Sequence, residues 1–209
     1  MVEAAENSGL TVRGVVLVGA SKTQPLEVLE EAIQLGLTHF GENKVQEAQA
    51  KWPVLKAKYP GIRLHLIGPL QSNKAADAVA LFDVVETVDR EKIADMLVDA
   101  MKKQGRQVAC YIQVNTGEEA QKGGVKPQAL AAFLTYTAQI GLPVTGLMCI
   151  PPADANPAPH FALLKKLADR HGLAELSMGM SSDFAEAIRL GATEVRIGTR
   201  LFGERSTVA

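Results

Sequence analysis

The chain reads as short runs of aliphatic and β-branched residues alternating with amphipathic segments of helical spacing. Runs at Val15–Ala20, Thr38–Gly41, Arg63–Gly68, Val84–Val88, Val108–Val114, Val144–Ile150, Glu175–Met180 and Glu194–Gly198 predict strands. Between them, Leu26–Leu35, Val45–Lys58, Arg90–Gln104, Pro127–Gln139, Phe161–His171 and Phe184–Leu190 predict helices. In Arg90–Gln104 the apolar residues Ile93, Met96, Leu97 and Ala100 recur at helical intervals. Gly36, Gly105, Gly141, Gly172 and Gly191 each fall where a helix should stop, as a residue free to take positive φ does.

Strand and helix alternating about eight times predicts parallel pairing with right-handed crossovers. Eight such units close into a single (β/α)8 TIM barrel, an α/β fold for which roughly 200 residues is the lower end. The chain has 209. An open, doubly wound sheet is the competing arrangement. It loses because GASKTQP after the first strand is not the G-x-G-x-x-G turn that binds dinucleotides. No linker or composition shift divides the chain, so one domain over 1–209 is expected. Only Thr199–Ala209 follows the last strand, too little for a full eighth helix. The residues before Val15 are expected to supply part of the missing cover.

Composition narrows the classes. At 47% apolar residues the chain can bury one large core. Lys and Arg number 22 against 23 Asp and Glu, without the basic excess that nucleic-acid binding favours. Cys110 and Cys149 lie in apolar runs and read as buried hydrophobes, not as a disulfide framework. The N-terminal MVEAAENSGL resembles neither a signal nor a transit peptide, and no apolar run reaches the ~18–20 residues of a membrane span. A cytoplasmic protein is expected. No long exposed apolar stripe stands out, so it is expected to be a monomer.

Barrels of this kind carry their active sites at the C-terminal strand ends. Lys22 follows the first strand and Asn43 the second; Ser181 and Ser182 follow the seventh; Arg196 lies in the eighth, with Gly198 and Thr199 after it. An amine near a dry barrel mouth can form a Schiff base. The ends of the last two strands are where barrels bind phosphate, and hydroxyls with a side-chain-free glycine suit that task. Plainer readings stand beside these. Asp183 with Glu186, and Asn43 with Gln46, have the spacing of helix caps, and Arg196 could face inward or outward. His39, His65, His160 and His171 show no metal-ligand spacing, and no paired-carboxylate signature appears.

The runs LVGASKTQP (17–25), HFGENKVQE (39–47), HLIGPLQSNK (65–74), QVNTGEEAQKGG (113–124), GLMCIPP (146–152), SMGMSSDFAEAI (177–188) and EVRIGTRLFGE (194–204) resemble the YggS/PROSC family. These are pyridoxal 5′-phosphate-binding homeostasis proteins. The resemblance implies a barrel like the barrel half of alanine racemase, with Lys22 carrying the cofactor as an internal aldimine. It further implies that Ser181 or Ser182, with Gly198 and Thr199, holds the phosphate. Arg196 would face the pyridine nitrogen and Asn43 would lie near the ring. Lys44 stands where the family commonly has an aromatic residue.

An arginine opposite the pyridine nitrogen disfavours its protonation, which makes the ring a poorer electron sink. Racemases of this barrel type also take an acid/base group from a second domain, for which 209 residues leave no room. A non-catalytic carrier that buffers pyridoxal phosphate, or delivers it to apo-enzymes, is therefore expected. The competing expectations are a racemase-like enzyme and an aldolase that uses Lys22 without a cofactor.

Overall fold

The structure is a computed structural model and describes residues 14–203. Eight parallel strands close into a barrel in sequence order. They are β1 (Val16–Ala20), β2 (His39–Glu42), β3 (Arg63–Leu66), β4 (Val84–Val88), β5 (Ala109–Gln113), β6 (Val144–Met148), β7 (Glu175–Ser177) and β8 (Glu194–Ile197). The helices that follow them are α1 (Leu26–Gln34), α2 (Val45–Lys58), α3 (Ala75–Leu81), α4 (Glu91–Gln104), α5 (Leu130–Ile140), α6 (Ala158–His171), α7 (Phe184–Arg189) and α8 (Thr199–Phe202). The barrel and the predicted strand order stand as expected. All five helix-ending glycines have positive φ, Gly105 and Gly141 as left-handed caps of α4 and α5.

One element departs from expectation, and the short eighth helix does not. Helix α3 is absent from the predicted helices, because in AADAVAL the single polar residue Asp77 is too little to mark an outer face. Its buried positions Ala75, Ala78 and Val79 nevertheless keep helical spacing. The chain after β8 forms one short helical turn, α8. The cover expected from residues 1–13 lies outside the described residues.

Strand alternation sorts the side chains into two populations. Phe40, Leu64, Leu66, Ile112, Leu147, Val195 and Ile197 join Leu29, Trp52, Leu55, Leu97, Phe161 and Leu164 of the helices in one apolar layer. Cys110 and Cys149 are buried in the same layer as free thiols. Burial pushes both thiols up to about 12, so neither is a reactive thiolate. The alternate positions are different. His65, Glu86, Ser177, Glu194 and Arg196 are buried and polar; His65, Glu86, Ser177 and Arg196 are hydrogen-bonded in a chain across the barrel, and Glu194 accepts from Tyr111. Beside them a small apolar group of Val84, Tyr111 and Met148 fills the rest. TIM barrels usually fill this space with branched aliphatic residues; this one fills much of it with charge.

Candidate functional site

All seven residues singled out from the sequence (Lys22, Asn43, Ser181, Ser182, Arg196, Gly198 and Thr199) line one cavity of about 380 Å³. That volume falls within the range of small-molecule sites. The closure of β8 onto β1 brings the two ends of the chain's motifs together: Val18 lies opposite Arg196 and Gly19 opposite Ile197. Ala20, Lys22 and Gly198 therefore meet at the barrel mouth.

Lys22 is half-buried in the turn after β1, followed by Thr23 at φ 64°. A β-branched residue rarely adopts that left-handed conformation. The turn is tied down from behind. Glu42, fully buried, accepts from Ser21 Oγ at 2.9 Å, Lys51 Nζ at 2.7 Å and Trp52 Nε1 at 2.9 Å. Lys51 also donates to the Ser21 carbonyl at 3.2 Å. One carboxylate thus fastens β1, β2 and α2 beside the Lys22 turn.

Arg196 faces inward, which settles the alternative left open by alternation. It is only 4% exposed; one guanidinium nitrogen donates to Ser177 Oγ at 2.6 Å and another to the Cys149 carbonyl at 2.9 Å. The expected helix caps are not made. Helix α2 is capped by the backbone of Lys44 without a side-chain bond, so Asn43 is not spent on capping. Asp183 Oδ1 accepts from the Met180 amide at 2.6 Å, closing the turn that holds Ser181 and Ser182 instead of reaching into α7. Lys44 pairs with Glu47 at 3.0 Å on the surface.

Gly198 precedes α8; its carbonyl accepts from the Leu201 and Phe202 amides, and the Thr199 and Arg200 amides stand ahead of those first bonds of the turn. A Cβ placed on Gly198 would meet only Ala20, at an ordinary 3.5 Å. The protein itself therefore does not require glycine there, whereas a ligand seated against the backbone would. Thr23, next to Lys22 on the polar rim after β1, also lines the cavity, as do Gln24, Ile67, Ile150 and Met180, which were not singled out. Ile67 and Ile150 could have been found, since each lies two residues beyond an inward position, His65 and Met148. The ionisable lining side chains are Lys22 and Arg196, with no carboxylate among the described lining residues. The site is built for an anion.

A larger groove of about 820 Å³ lies elsewhere, lined by Val15, Leu17, Val28, Leu35, Leu37 and Phe202 among others. It borders both ends of the described chain and collects little chemistry.

Inside the barrel, two carboxylates that are far apart in sequence come together. Donor atoms of His65, Glu86 and Glu194 all lie within 4.8 Å of one another. The expectation of no paired carboxylates is corrected here, because barrel closure supplies a proximity that local spacing cannot. Glu86 accepts from His65 Nδ1 at 2.8 Å and Ser177 Oγ at 2.5 Å. Burial pushes its carboxyl up, but the His65 bond and charge, Arg196 and Ser177 together hold it below the usual range. Glu194 goes the other way: burial, then repulsion from Glu86, raises it to about 7. Tyr111 donates to it at 2.6 Å. Two carboxylates in one low-dielectric space resolve into one ionised and one readily protonated group. The guanidinium of Arg196, 3.7 Å from Glu86, supplies the local positive charge.

Residues 5–206 match the family described as alanine racemase, N-terminal domain. A pyridoxal phosphate homeostasis protein of Aquifex aeolicus is 41% identical over 213 residues, covering 97% of this chain and 92% of that protein. The structure of PipY from Synechococcus elongatus with PLP bound superposes with a TM-score of 0.83 at 37% identity, covering 96% of this chain and 98% of that one. An alanine racemase of Clostridium difficile shares the fold, with a TM-score of 0.75 at 14% identity over 96% of this chain but only 55% of its own. The chain belongs to the pyridoxal phosphate homeostasis protein family, within the wider family of alanine racemase N-terminal domains.

Proposed function

We propose that the chain binds pyridoxal 5′-phosphate at the barrel mouth and serves cellular homeostasis of that cofactor by holding, buffering and delivering it. The observation that carries this reading is the convergence of Lys22, Arg196, Ser181, Ser182, Gly198 and Thr199 on one carboxylate-free cavity. The donor set fits the group. Lys22 offers an amine, the serine and threonine hydroxyls and the open backbone at Gly198 suit phosphate oxygens, and Ile67 and Ile150 offer apolar surface to a ring. Pyridoxal phosphate, when bound, would supply an aldehyde carbon to the amine and an electron-withdrawing ring. Lys22 would hold the group, the hydroxyls and Gly198 would bind its phosphate, and Asn43 and Arg196 would offer polar contacts to the rest of it.

A carrier is favoured over a catalyst on chemical grounds. Racemisation needs acid/base groups on both faces of a bound amino acid. Among the described lining residues no His, Asp, Glu, Cys or Tyr side chain stands opposite Lys22 to serve as the second group. Relatives named for homeostasis are matched over about nine-tenths of their own length, whereas the racemase extends far beyond the shared barrel. As a carrier the protein is expected to work as a cytoplasmic monomer that hands its cofactor to apo-enzymes.

Incubation of the purified chain with pyridoxal phosphate tests the reading. The protein should turn yellow, borohydride should fix one cofactor on Lys22, and Lys22→Ala should abolish both. Failure to take up the cofactor overturns the proposal. Inversion of L-alanine by the loaded protein at ordinary enzyme rates would move the assignment to a racemase.

A further inference from the structure

Arg196 closes the floor of the cavity, and what lies beneath it is a hydrogen-bonded array. The guanidinium donates to Ser177 Oγ at 2.6 Å, Ser177 donates to Glu86 Oε2 at 2.5 Å, and Glu86 Oε1 accepts from His65 Nδ1 at 2.8 Å. His65 Nε2 in turn lies 3.0 Å from Nδ1 of His39. Ser177, Glu86 and His65 are fully buried, and none of them lines the cavity. They therefore act on a ligand only through Arg196.

A buried arginine is costly unless its charge is balanced and its donors are used. Here both needs are met within the protein. Ser177 takes one donor, the Cys149 carbonyl takes another, and Glu86 balances the charge at 3.7 Å. The fork has little freedom to swing, which is what a site must arrange before a ligand arrives.

We propose that Ser177 and Glu86 are positioning residues: they fix the Arg196 guanidinium, charge-balanced, at the cavity floor where the pyridine nitrogen of the bound cofactor meets it. The inference rests on the cofactor reading above and deepens it. It predicts two separable effects. Loss of the Ser177 hydroxyl frees the fork and weakens binding, because a hydrogen bond to a charged group is worth enough to change affinity roughly tenfold or more. Loss of the Glu86 charge leaves Arg196 uncompensated and makes the whole floor more positive. The groups facing Glu86 are His65 from β3, Arg196 and Glu194 from β8, with Tyr111 from β5 and Glu175 from β7 acting on Glu194. Of these, Arg196 alone lines the cavity, so it is the group through which the missing anion is felt by a ligand.

The test compares wild type, Ser177→Ala, Ser177→Thr and Glu86→Gln, each first shown to be folded by circular dichroism. Affinity for pyridoxal phosphate should fall about tenfold in Ser177→Ala and recover in Ser177→Thr. In Glu86→Gln the pH midpoint of the visible absorption band should move to lower pH, since a cationic linkage loses a nearby anion. A general loss of stability would move neither the midpoint nor the alanine–threonine difference. Without cofactor, low-temperature NMR should show slowly exchanging Arg196 guanidinium protons in wild type and not in Ser177→Ala. Wild-type affinity and midpoint in both variants overturn the positioning role while leaving the cofactor reading intact. A wild type that takes up no cofactor overturns that reading instead. The NMR comparison then decides whether Ser177 holds Arg196, and unchanged signals refute it.

Discussion

Ser21 Oγ donates to Glu42 Oε1 at 2.9 Å, joining the residue before Lys22 to the last residue of β2. Because the same oxygen also receives Lys51 and Trp52, the position of the Lys22 turn is decided by a group that never touches the cavity. Glu42→Ala leaves Lys51 without its partner, and breaking a buried pair from one side costs about 3–5 kcal/mol. Urea unfolding should show a loss of that order. At temperatures where the variant stays folded, it should also hold pyridoxal phosphate less tightly. An unchanged unfolding midpoint would mean the cluster does not fasten the turn.

Thr23 sits at φ 64° immediately after Lys22, a conformation that costs a non-glycine residue on the order of 1 kcal/mol or more. Its hydroxyl donates to the Lys22 carbonyl at 2.6 Å, which helps hold the turn in place. Thr23→Gly is expected to raise the thermal midpoint while weakening cofactor retention. If stability does not rise, the strain assigned to this turn is absent.

Glu194 provides a pH signature. Its folded-state pKa near 7 stands above the ordinary 4.5, so the native state holds a proton that the unfolded state has lost. Stability from this group is full below about 4.5, falls as pH rises to about 7, and stays lost above that. The shift corresponds to about 3 kcal/mol. Glu194→Gln keeps an acceptor for Tyr111 and removes the penalty. The variant should unfold at higher temperature than wild type at pH 8, with the advantage shrinking towards pH 5. Equal differences at both pH values would rule out a raised carboxyl here.

Gly68 follows β3 so closely packed on Asn43 that a Cβ would collide with that residue's backbone, including its carbonyl. The Gly68 carbonyl also accepts from Thr87 Oγ1 at 2.8 Å, so the segment cannot simply move away. Overpacking of this kind costs about 1–3 kcal/mol. Gly68→Ala should lower stability by that amount and displace Asn43 from the cavity wall, which a crystal structure of the variant would show directly.

The order of strands and helices was legible from amphipathic segments such as Glu91–Gln104, where Ile93, Leu97 and Ala100 are buried at helical spacing, and from short β-branched runs such as Val84–Val88. The rim was legible too, since Lys22, Asn43, Ser181 and Gly198 each stand just past a strand, where a barrel gathers its chemistry. The interior was not. His65 meets Glu86 across two neighbouring strands, and Tyr111 of β5 meets Glu194 of β8 only because the sheet closes on itself. Glu42 was hidden because its partners are distant in sequence: Ser21 lies just after β1, and Lys51 and Trp52 lie in α2. Helix α3 escaped because six small and apolar residues with a single aspartate offer little contrast between faces.

The separation of an apolar outer layer from a charged inner wall also bears on how such a protein can change over generations. The contacts that decide whether the chain folds lie between strands and helices, on the side of each strand that the ligand never sees. Inward positions can therefore be exchanged, a charge pair here or a hydroxyl there, with the scaffold left standing. A lineage could replace His65, Glu86, Tyr111 and Glu194 with aliphatic residues and obtain a sturdier barrel. It would also leave Arg196 without the carboxylate that lies 3.7 Å away. The polar interior is thus a feature that folding alone does not demand.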